Sequence, residues 1–356
     1  MRQVLLQIPL DAVLHIGPFA LPWFGFGILL ACWIAFGIWV VLLRRRESKG
    51  PWRAEDTHPV IVWSVIALAI TIAPHLQQRF GVTGIPIFGY GFMLFLGFIT
   101  AVTLASRRAM QQGLSPDVVW DLAPWLLIPG ILGARTFFCL QYPQDVFGAA
   151  QNASDYIGAF LNLSRGGLVL YGGLIGGAAG YFEYCRRARL NPLGLGDLIT
   201  PSVFVGIGFG RIGCLLNGCC FGDICELPWA IHFPRDAVPF HALVEKGFLA
   251  PDALFTPGLH PTQIYSAIDG FLIAALTSAF FPYRRSNGEV FAIGLMTYAT
   301  TRFLIEFLRG DEPGQLGTGL TISQIISLGM FLTGLVVILD RAWRPAFRQI
   351  ATTVPG

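Results

Sequence analysis

Residues 195–222 read LGDLITPSVFVGIGFGRIGCLLNGCCFG. The apolar part, 195–216, is long enough for a membrane-spanning helix, which needs roughly 20 mostly apolar residues. Arg211 lies within it, although an arginine in the hydrocarbon region is costly unless it faces a cavity or a partner. The stretch therefore predicts a membrane helix that carries a polar site near its C-terminal end.

The composition of the whole chain is typical of a protein with several membrane spans. Of its 356 residues, 54% are hydrophobic and 13% are charged, and the mean hydropathy is +0.61. Soluble domains carry about 25% charged residues. The net charge is only +3 and the sequence has no basic arm, so we expect no nucleic-acid partner. We also predict no removable signal peptide, because no small-residue cleavage site follows a short apolar segment.

We predict an all-α polytopic membrane fold with about nine transmembrane helices, one for each long apolar stretch. The stretches are 16–43, 57–78, 85–106, 118–140, 167–185, 195–216, 264–283, 289–308 and 313–339.

Basic residues set the predicted orientation, because lysine and arginine favour cytoplasmic loops. They follow each odd-numbered span: Arg44, Arg45, Arg46, Lys49 and Arg53; Arg107 and Arg108; Arg186, Arg187 and Arg189; Arg284 and Arg285; Arg341, Arg344 and Arg348. The N-terminus is therefore expected outside and the C-terminus in the cytoplasm. The longest outer loop, 217–262, is rich in proline, histidine and mixed charge, and it predicts a small periplasmic head.

Four arginines lie outside those clusters, in or at the ends of even-numbered spans: Arg135, Arg211, Arg302 and Arg309. Guanidinium groups match phosphate oxygens, and an anionic phospholipid head group supplies a phosphate at this depth. The alternative for each arginine is simple extension towards the membrane interface. For Arg302, an ion pair with Glu306 on the same helix face is a further alternative.

Glycines and an aromatic residue mark a second candidate region, RGGLVLYGGLIGG at 165–177. Tyr171 precedes Gly172 and Gly173 there, and glycine allows a lipid to approach the backbone. Close packing of two helices is the alternative interpretation. Tyr90 occupies a similar place at the start of another span, where tyrosine is also an ordinary interfacial residue.

A third candidate segment, HPTQIY, precedes the span at 264–283. It supplies His260, Gln263 and Tyr265, and we interpret it as a polar entry to that helix. A lone histidine in such a place is more often structural than catalytic, so both roles stay open.

Four of the seven cysteines cluster near the predicted outer face: Cys214, Cys219, Cys220 and Cys225. An oxidising periplasm permits disulfides, and adjacent Cys219 and Cys220 would not bridge each other without strain. A disulfide or simple packing, contact with a substrate, and a metal or redox site are the alternatives. The C-x4-CC-x4-C spacing is not a strong zinc pattern, so we predict no metal site and no cofactor.

Taken in order, YGGLIGG, GRIG followed by NG and a further glycine, HPTQIY and RFLIEFLR resemble the bacterial prolipoprotein diacylglyceryl transferases over about residues 85–340. The resemblance implies a multi-pass enzyme of the bacterial inner membrane that uses phosphatidylglycerol and prolipoprotein signal peptides. A lipobox cysteine thiolate attacks a glyceryl carbon, receives the diacylglyceryl group, and glycerol 1-phosphate leaves. Residues 1–80 would then be an added pair of spans, 81–345 the transferase-like domain, and 346–356 a cytoplasmic tail.

The same resemblance implies roles for individual residues. Arg211 and Arg302 match essential arginines that would clamp the phosphate, and with Tyr171 they are our candidate catalytic residues. The candidate substrate-binding residues are Tyr90, Arg135, Gly172, Gly173, Asn217, Gly222, His260, Gln263, Tyr265, Glu306 and Arg309.

The chain also departs from the family pattern. Tyr171 stands where many members have a histidine that has been considered a general base, and tyrosine has a reference pKa of about 10. Cys214 and Cys219 stand where common members have asparagine and glutamate, and Ser266 replaces a further glutamate. Two other functions therefore stay open: a paralogue that uses another acceptor or lipid, and a membrane lipid-binding protein without catalysis.

Overall fold

A computed structural model of the chain describes residues 4–9, 13–16, 19–22, 28–47, 64–65, 84–148, 152–162, 166–309 and 319–343. Its contacts divide the chain into two units, Arg2–Gly89 and Tyr90–Gly356. Each unit has its own secondary structure.

The first unit contains four short strands and one described helix. The elements are β1 (Val4–Pro9), β2 (Val13–Ile16), β3 (Phe19–Pro22), α1 (Ile28–Glu47) and β4 (Gly84–Phe88). Strand β1 pairs antiparallel with β4, and β2 pairs antiparallel with β3.

The prediction of an all-α fold is wrong for this unit, and so is the prediction of one continuous helix over 16–43. Proline cannot donate the hydrogen bond of a helix interior, and Pro22 ends β3 before the helix begins at Ile28. The predicted span at 57–78 lies outside the described residues except for 64–65.

The second unit is mostly helical, and every predicted span from residue 85 onward overlaps one of its helices. The helices are α2 (Gly89–Gln111), α3 (Asp117–Gln141), α4 (Pro143–Phe147), α5 (Ala153–Leu161), α6 (Leu170–Arg187), α7 (Pro192–Asn217), α8 (Val238–Glu245), α9 (Thr262–Phe280), α10 (Glu289–Glu306) and α11 (Ile322–Trp343).

Among the described residues, five helices are long and apolar enough to cross a membrane: α2, α3, α7, α9 with the turn that follows it, and α11. Helices α6 and α10 are shorter and each carries three charged residues. The chain is therefore a multi-pass membrane protein, while the predicted number of nine spans and the predicted orientation stay predictions.

Helices α7 and α10 run in parallel through the centre of the second unit. Thr200 lies against Gly294, and one turn further along, the rings of Phe204 and Tyr298 are 5.7 Å apart. Positions on the two helices thus advance together. Helix α9 packs against both helices in the opposite direction, so the ends of α7 and α10 meet the start of α9.

Side chains tie the helices together at the end of the bundle where α7 begins. Arg108 on α2 donates hydrogen bonds to Ser202 on α7 at 2.7 Å and to Ser278 on α9 at 2.8 Å. The C-terminal end of α6 joins the same region through Tyr184 and Cys185, which pack against the first turns of α7. The ends of α2, α6 and α9 that carry arginine clusters are therefore gathered at one end of the bundle.

Asp197 fixes the start of α10 at this end. The carboxylate is fully buried and accepts backbone hydrogen bonds from Gly288 at 2.7 Å and Phe291 at 2.8 Å. Arg284 supplies a countercharge at 3.9 Å. A residue of α7 thus satisfies amide groups that the first turn of α10 cannot pair internally.

Helices α3 and α6 pack antiparallel with their backbones in direct contact. A Cβ added at Gly172 would lie 2.2 Å from the carbonyl oxygen of Gly133, and one added at Gly176 would lie 2.1 Å from that of Pro129. At Gly180 the distance to the carbonyl oxygen of Trp125 would be 1.8 Å. The glycine motif of α6 therefore serves helix packing, the alternative that the sequence left open.

We expect Gly180→Ala to lower the free energy of unfolding in detergent by about 1–3 kcal/mol, because the methyl group would force the two backbones apart. Gly177→Ala is the matched control, since its Cβ would meet the carbonyl oxygen of Leu126 at an ordinary 3.8 Å. Denaturant titration of both variants measures the difference. Equal stability of the two variants would contradict the backbone contact.

The segment between α7 and α9 folds as a small head around α8. Its core contains Phe233, Ala237, Leu243 and Leu259, all buried. Leu259 forms isolated antiparallel bridges with Ile224 and with Ile231, so the two sides of the head are joined by backbone pairing. The residues between α7 and α9 therefore form a folded segment, while a periplasmic head at 217–262 stays a prediction.

Candidate active site

The site begins at the C-terminal end of α7, where the chain turns sharply. Gly218 adopts a left-handed conformation with φ of 79°, which glycine tolerates without strain. Its amide donates to the carbonyl of Leu215 at 3.2 Å, and the amide of Cys219 donates to that of Cys214 at 3.1 Å. This is a Schellman cap, in which the residues at the places of Cys214 and Cys219 come into contact.

Two side chains from the first turn of α9 hold the residues after this cap. The Nε2 of Gln263 donates to the carbonyl oxygen of Cys219, and the hydroxyl of Thr262 donates to that of Cys220, both at 2.8 Å. Gln263 is fully buried and Thr262 nearly so. Cys220 has a φ of 59°, a left-handed conformation that is uncommon for a residue with a side chain and often marks a functional site.

Gly222 joins the end of α10 to the same place. Its amide donates to the carbonyl of His260, and the amide of Asp223 donates to that of Leu308, both at 2.9 Å. A Cβ at Gly222 would lie 2.6 Å from the Leu308 oxygen, so no larger residue fits there without movement. We call the residues 211–223, 260–265 and 308–309 the motif junction.

Arg211 lies one to two turns before the end of α7 and is partly buried. Within the part of the chain that the structure describes, no protein group forms a hydrogen bond or an ion pair with its guanidinium. Tyr90 on α2 is close enough to interact with it electrostatically. The start of α2 packs closely against α7 at Gly213. A Cβ added to this glycine would lie 3.1 Å from the Tyr90 ring.

Arg302 has protein partners. It forms an ion pair with Glu306 and donates a hydrogen bond to the hydroxyl of Ser323 on α11 at 3.1 Å. Glu306 is buried and also accepts a hydrogen bond from Thr321 at 3.0 Å. These contacts use two of the five N–H donors of the Arg302 guanidinium.

The parallel packing of α7 and α10 fixes the relative height of the two arginines. Continuing the register of the pairs Thr200–Gly294 and Phe204–Tyr298 puts Arg302 level with Gly208. Arg211 lies three residues further along α7, a rise of about 4.5 Å. The two guanidinium groups therefore start from backbone positions at nearly the same depth.

Arg135 is buried in a different environment. Its donors bond to backbone carbonyl oxygens of the segment from α5 to the start of α6, at 2.7–3.1 Å. The acceptors are Ala159, Phe160, Asn162, Gly166 and Gly167. All five donors are thus engaged, and a lipid phosphate would have to displace a carbonyl to reach this guanidinium.

Other candidate residues lie in two places. Tyr171, 38% exposed, lies with Gly172 and Gly173 in the first turns of α6, on the α3–α6 pair. Tyr265 lies in the motif junction and accepts a hydrogen bond from the indole of Trp229 at 2.7 Å, and its hydroxyl is 3.5 Å from Nδ1 of His260.

The junction also contains a cluster that the sequence spacing did not predict. The Sγ atoms of Cys214, Cys219 and Cys220 all lie within 4.8 Å of one another, and the three thiols are free. The Cys219 thiol donates a weak hydrogen bond to the carbonyl oxygen of Cys214 at 3.7 Å. The pKa of the Cys220 thiol is lowered, chiefly by its interactions with the neighbouring Cys214 and Cys219 and further because Arg211 is a cationic neighbour. The cluster depends on the Schellman cap, because the cap reverses the chain and brings Cys219 and Cys220 back to Cys214.

Comparisons with known proteins show the family of the chain. The family described as prolipoprotein diacylglyceryl transferase matches residues 77–339. The chain belongs to the prolipoprotein diacylglyceryl transferase family. The match confirms the resemblance inferred from the motifs and covers every residue of the motif junction.

Named relatives agree with the family match. A phosphatidylglycerol–prolipoprotein diacylglyceryl transferase of Clostridium tetani is 35% identical over 74% of this chain and 96% of its own length. One of Clostridium perfringens is 34% identical over 71% and 91%. One of Rhodopirellula baltica is 29% identical over 91% and 87%, so this transferase aligns with most of the chain.

Arg135→Lys tests the structural contacts of Arg135. A lysine ammonium has three donors in place of five, so carbonyl oxygens that Arg135 satisfies would lose their partner. We expect the free energy of unfolding to fall by about 2 kcal/mol. Arg186→Lys, at an exposed arginine of α6, is the control and should change it by less than about 0.5 kcal/mol.

Glu306→Gln tests the buried ion pair. The amide keeps the shape of the carboxylate but leaves Arg302 without its countercharge, which costs about 3–5 kcal/mol for a buried pair. Denaturant titration in detergent should show this loss. Glu226→Gln, at an exposed position of the head, should leave the stability unchanged, and a similar loss in both variants would refute the special role of Glu306.

Proposed function

We propose that this chain transfers the diacylglyceryl group of phosphatidylglycerol to the lipobox cysteine of prolipoproteins, with Arg211 as the principal phosphate ligand. One observation carries the assignment of Arg211. Among the described residues, its guanidinium has no hydrogen-bond or ion-pair partner, whereas the donors of Arg135 are all engaged and Arg302 is paired with Glu306. A guanidinium in a membrane helix without a partner needs an anion.

The phosphate lies between Arg211 and the remaining donors of Arg302 in this proposal. The two residues start at nearly the same depth on parallel helices, so their side chains can approach one anion from two sides. Glu306 and Ser323 restrict the orientation of the Arg302 side chain. Arginine forks bind phosphate oxygens through paired hydrogen bonds, which adds geometric specificity to the attraction of charge.

The chemistry requires charge stabilisation on the leaving group. The acceptor thiolate attacks the glyceryl carbon that bears the phosphate ester, and the C–O bond breaks with both electrons on oxygen. Glycerol 1-phosphate leaves with one more negative charge than the phosphodiester had. A guanidinium that is already in place stabilises this developing charge without reorganisation, which is the largest single effect in many enzymes.

Tyr171 orients substrate by hydrogen bonding in this proposal and does not act as the base. A phenol with a reference pKa of about 10 is almost fully protonated at neutral pH. A cysteine thiol with a pKa of about 8.5 is already a few per cent thiolate there, so transfer proceeds without a dedicated base.

The remaining candidate residues shape the cavity. We assign Asn217, Gly222, His260, Gln263 and Tyr265 to the wall near the phosphate, because they lie in the motif junction. Tyr90 and Arg309 border the same region, since both lie close enough to the cysteine cluster to interact with it electrostatically. Gly172, Gly173 and Arg135 act from the α3–α6 pair, as positioning residues.

The gathered arginine clusters support an orientation in the bacterial inner membrane. Basic residues favour the cytoplasmic side, and the ends of α2, α6 and α9 that carry them lie together. The motif junction lies at the opposite end of α7, which then faces the periplasm. Residues 1–80 as an added membrane segment, and 346–356 as a cytoplasmic tail, complete the proposed topology.

Arg211→Ala should lower kcat/KM for transfer by roughly 100- to 1,000-fold, because one charged donor to the leaving group is lost. The assay supplies phosphatidylglycerol and a lipobox peptide in detergent and measures lipidated peptide and released glycerol phosphate. Arg186→Ala, at an exposed arginine of α6, is the matched control and should keep full activity.

Two outcomes would contradict the proposal. Full activity of Arg211→Ala would remove Arg211 from the phosphate site. A wild-type protein that binds phosphatidylglycerol but forms no lipidated peptide would refute lipobox transfer and favour another acceptor or a lipid-binding protein.

A further inference from the structure

The three thiols at the end of α7 lie close enough together to hold one metal ion. The Sγ atoms of Cys214, Cys219 and Cys220 lie within 4.8 Å of one another. Sulfur atoms around a tetrahedral zinc ion with bonds of about 2.3 Å are roughly 3.8 Å apart. A contraction of about 1 Å at the longest separation brings all three into the coordination sphere of one ion.

The backbone that carries these thiols is held from several sides. The Schellman cap fixes Cys219 against Cys214, and Cys220 adopts its left-handed conformation with its carbonyl bound by Thr262. Gln263 binds the carbonyl of Cys219 through its amide nitrogen. In metal sites, hydrogen bonds to the residues that carry the ligand atoms orient those atoms towards the ion.

Gln263 supplies an independent observation. Its side chain is fully buried, and its Oε1 has no hydrogen-bond partner among the described residues. Buried polar atoms without a partner are rare and call for an explanation such as an absent ion, water or substrate. The amide is anchored on Cys219, so this oxygen lies beside the cysteine cluster.

The donor set selects the class of ion. Thiolates favour zinc(II) and copper(I) over calcium and magnesium, which take oxygen ligands. Three thiolates and one zinc(II) ion carry a net charge of −1, which the positive field of the nearby Arg211 and Arg309 favours.

We propose that Cys214, Cys219 and Cys220 bind one thiophilic metal ion, zinc(II) by preference, and that its fourth position receives the acceptor thiol. The binding of the ion stands on the geometry alone, whereas the role of the fourth position rests on the proposed function. Three protein ligands with one open position form the arrangement of catalytic zinc sites.

The location suits the transfer reaction. Arg211 holds the phosphate of the lipid in the proposed function, and the carbon under attack is one bond from an ester oxygen of that phosphate. The acceptor sulfur must come within about 3.5 Å of this carbon. Arg211 and the cysteine cluster are neighbours at the end of one helix, so a thiol on the metal lies near that carbon.

Transfer at the metal site exchanges a carbon–oxygen bond for a carbon–sulfur bond. On coordination the acceptor thiol gives its proton to solvent, because a metal-bound thiol is deprotonated outright. Its sulfur then forms a bond to the glyceryl carbon with its own electron pair and leaves the metal. The C–O bond breaks towards oxygen, and glycerol 1-phosphate departs. The metal thus raises the fraction of acceptor thiolate above the few per cent that is present without it.

Cobalt(II), which reports thiolate ligation by an intense near-ultraviolet absorption, and zinc(II) are the probes for the purified full-length chain. We expect one equivalent of either ion per chain. Zinc should protect the three cluster cysteines from alkylation, as read by mass spectrometry, while Cys225 stays reactive. This measurement uses the wild-type protein and does not depend on how a variant folds.

Serine variants then test each ligand. Cys214→Ser, Cys219→Ser and Cys220→Ser should each weaken cobalt binding by at least about tenfold, and Gln263→Leu by about 10- to 100-fold as an orienting residue. Cys225→Ser is the matched control, because Cys225 is also free but lies outside the cluster, and it should bind cobalt as the wild type does.

Adding a lipobox peptide tests the fourth position. A cysteine-containing peptide should change the cobalt spectrum, and the same peptide with serine at that place should not. The transfer assay runs on the same samples, so a failure of the metal site can be distinguished from a failure of the proposed transfer activity. Metal binding and a spectral change without lipidated product would support the site and refute lipobox transfer.

Three outcomes would overturn the inference. A disulfide among the three cysteines in protein trapped directly from membranes would exclude the metal site. Equal cobalt binding by the wild type and all three serine variants would locate the ion elsewhere. Binding without any response to the cysteine peptide would leave a structural ion and remove the role of the fourth position.

Discussion

The need to satisfy backbone groups at helix ends governs this structure. A helix leaves several amide and carbonyl groups unpaired at each end, and in a membrane protein few of them can turn to water. Asp197 supplies acceptors for the start of α10, Arg135 supplies donors for carbonyls at the end of α5 and beyond it, and Gln263 and Thr262 supply donors just after α7. Each of these side chains reaches from one helix to the end of another.

This constraint explains why charged residues in similar sequence contexts differ in the partners that the fold gives them. Arg135 and Arg211 both lie in glycine-containing apolar helices, and the sequence made both of them candidates for binding phosphate. Backbone carbonyl oxygens accept hydrogen bonds from all donors of Arg135, whereas Arg211 has no such partner among the described residues. A charged side chain can bind a substrate only if other groups of the protein have not already occupied its hydrogen-bonding atoms.

Much of the fold followed from the sequence because long apolar stretches and arginine clusters are local signals. The helices from residue 85 onward agree with the sequence analysis, whereas the meeting of the GRIG, NG and HPTQ segments is visible only in the structure. The strands of the first unit did not follow, since β1 pairs with β4 across most of that unit and no local pattern marks the pair. The use of the α6 glycines for backbone contact with α3 was one of two alternatives, and only the facing residues decide between them.

The sequence analysis noted the cysteine cluster but did not predict the close approach of three of its thiols, for a related reason. Metal patterns in sequences are recognised by spacing, and the spacing of Cys214, Cys219 and Cys220 suits a metal only if the helix ends in a left-handed turn between the first and second of them. Gly218 makes this turn at the end of α7, and the contact between Cys214 and Cys219 depends on its cap geometry. Thr262 lies within HPTQIY and was passed over as well, because its role is to hold a carbonyl that the sequence does not show.

The bond between the amide of Asp223 and the carbonyl of Leu308 has a consequence for biosynthesis. The wall of the site formed after α7 is completed by a residue that is translated much later, beyond the head and two further helices. Ribosomes add roughly 5–20 residues per second, so for several seconds α7 exists in the membrane with its arginine exposed and the site open on one side. During that interval the wall beside Arg211 is incomplete, so the proposed phosphate site exists only after α10 has been made and Leu308 has bound Asp223.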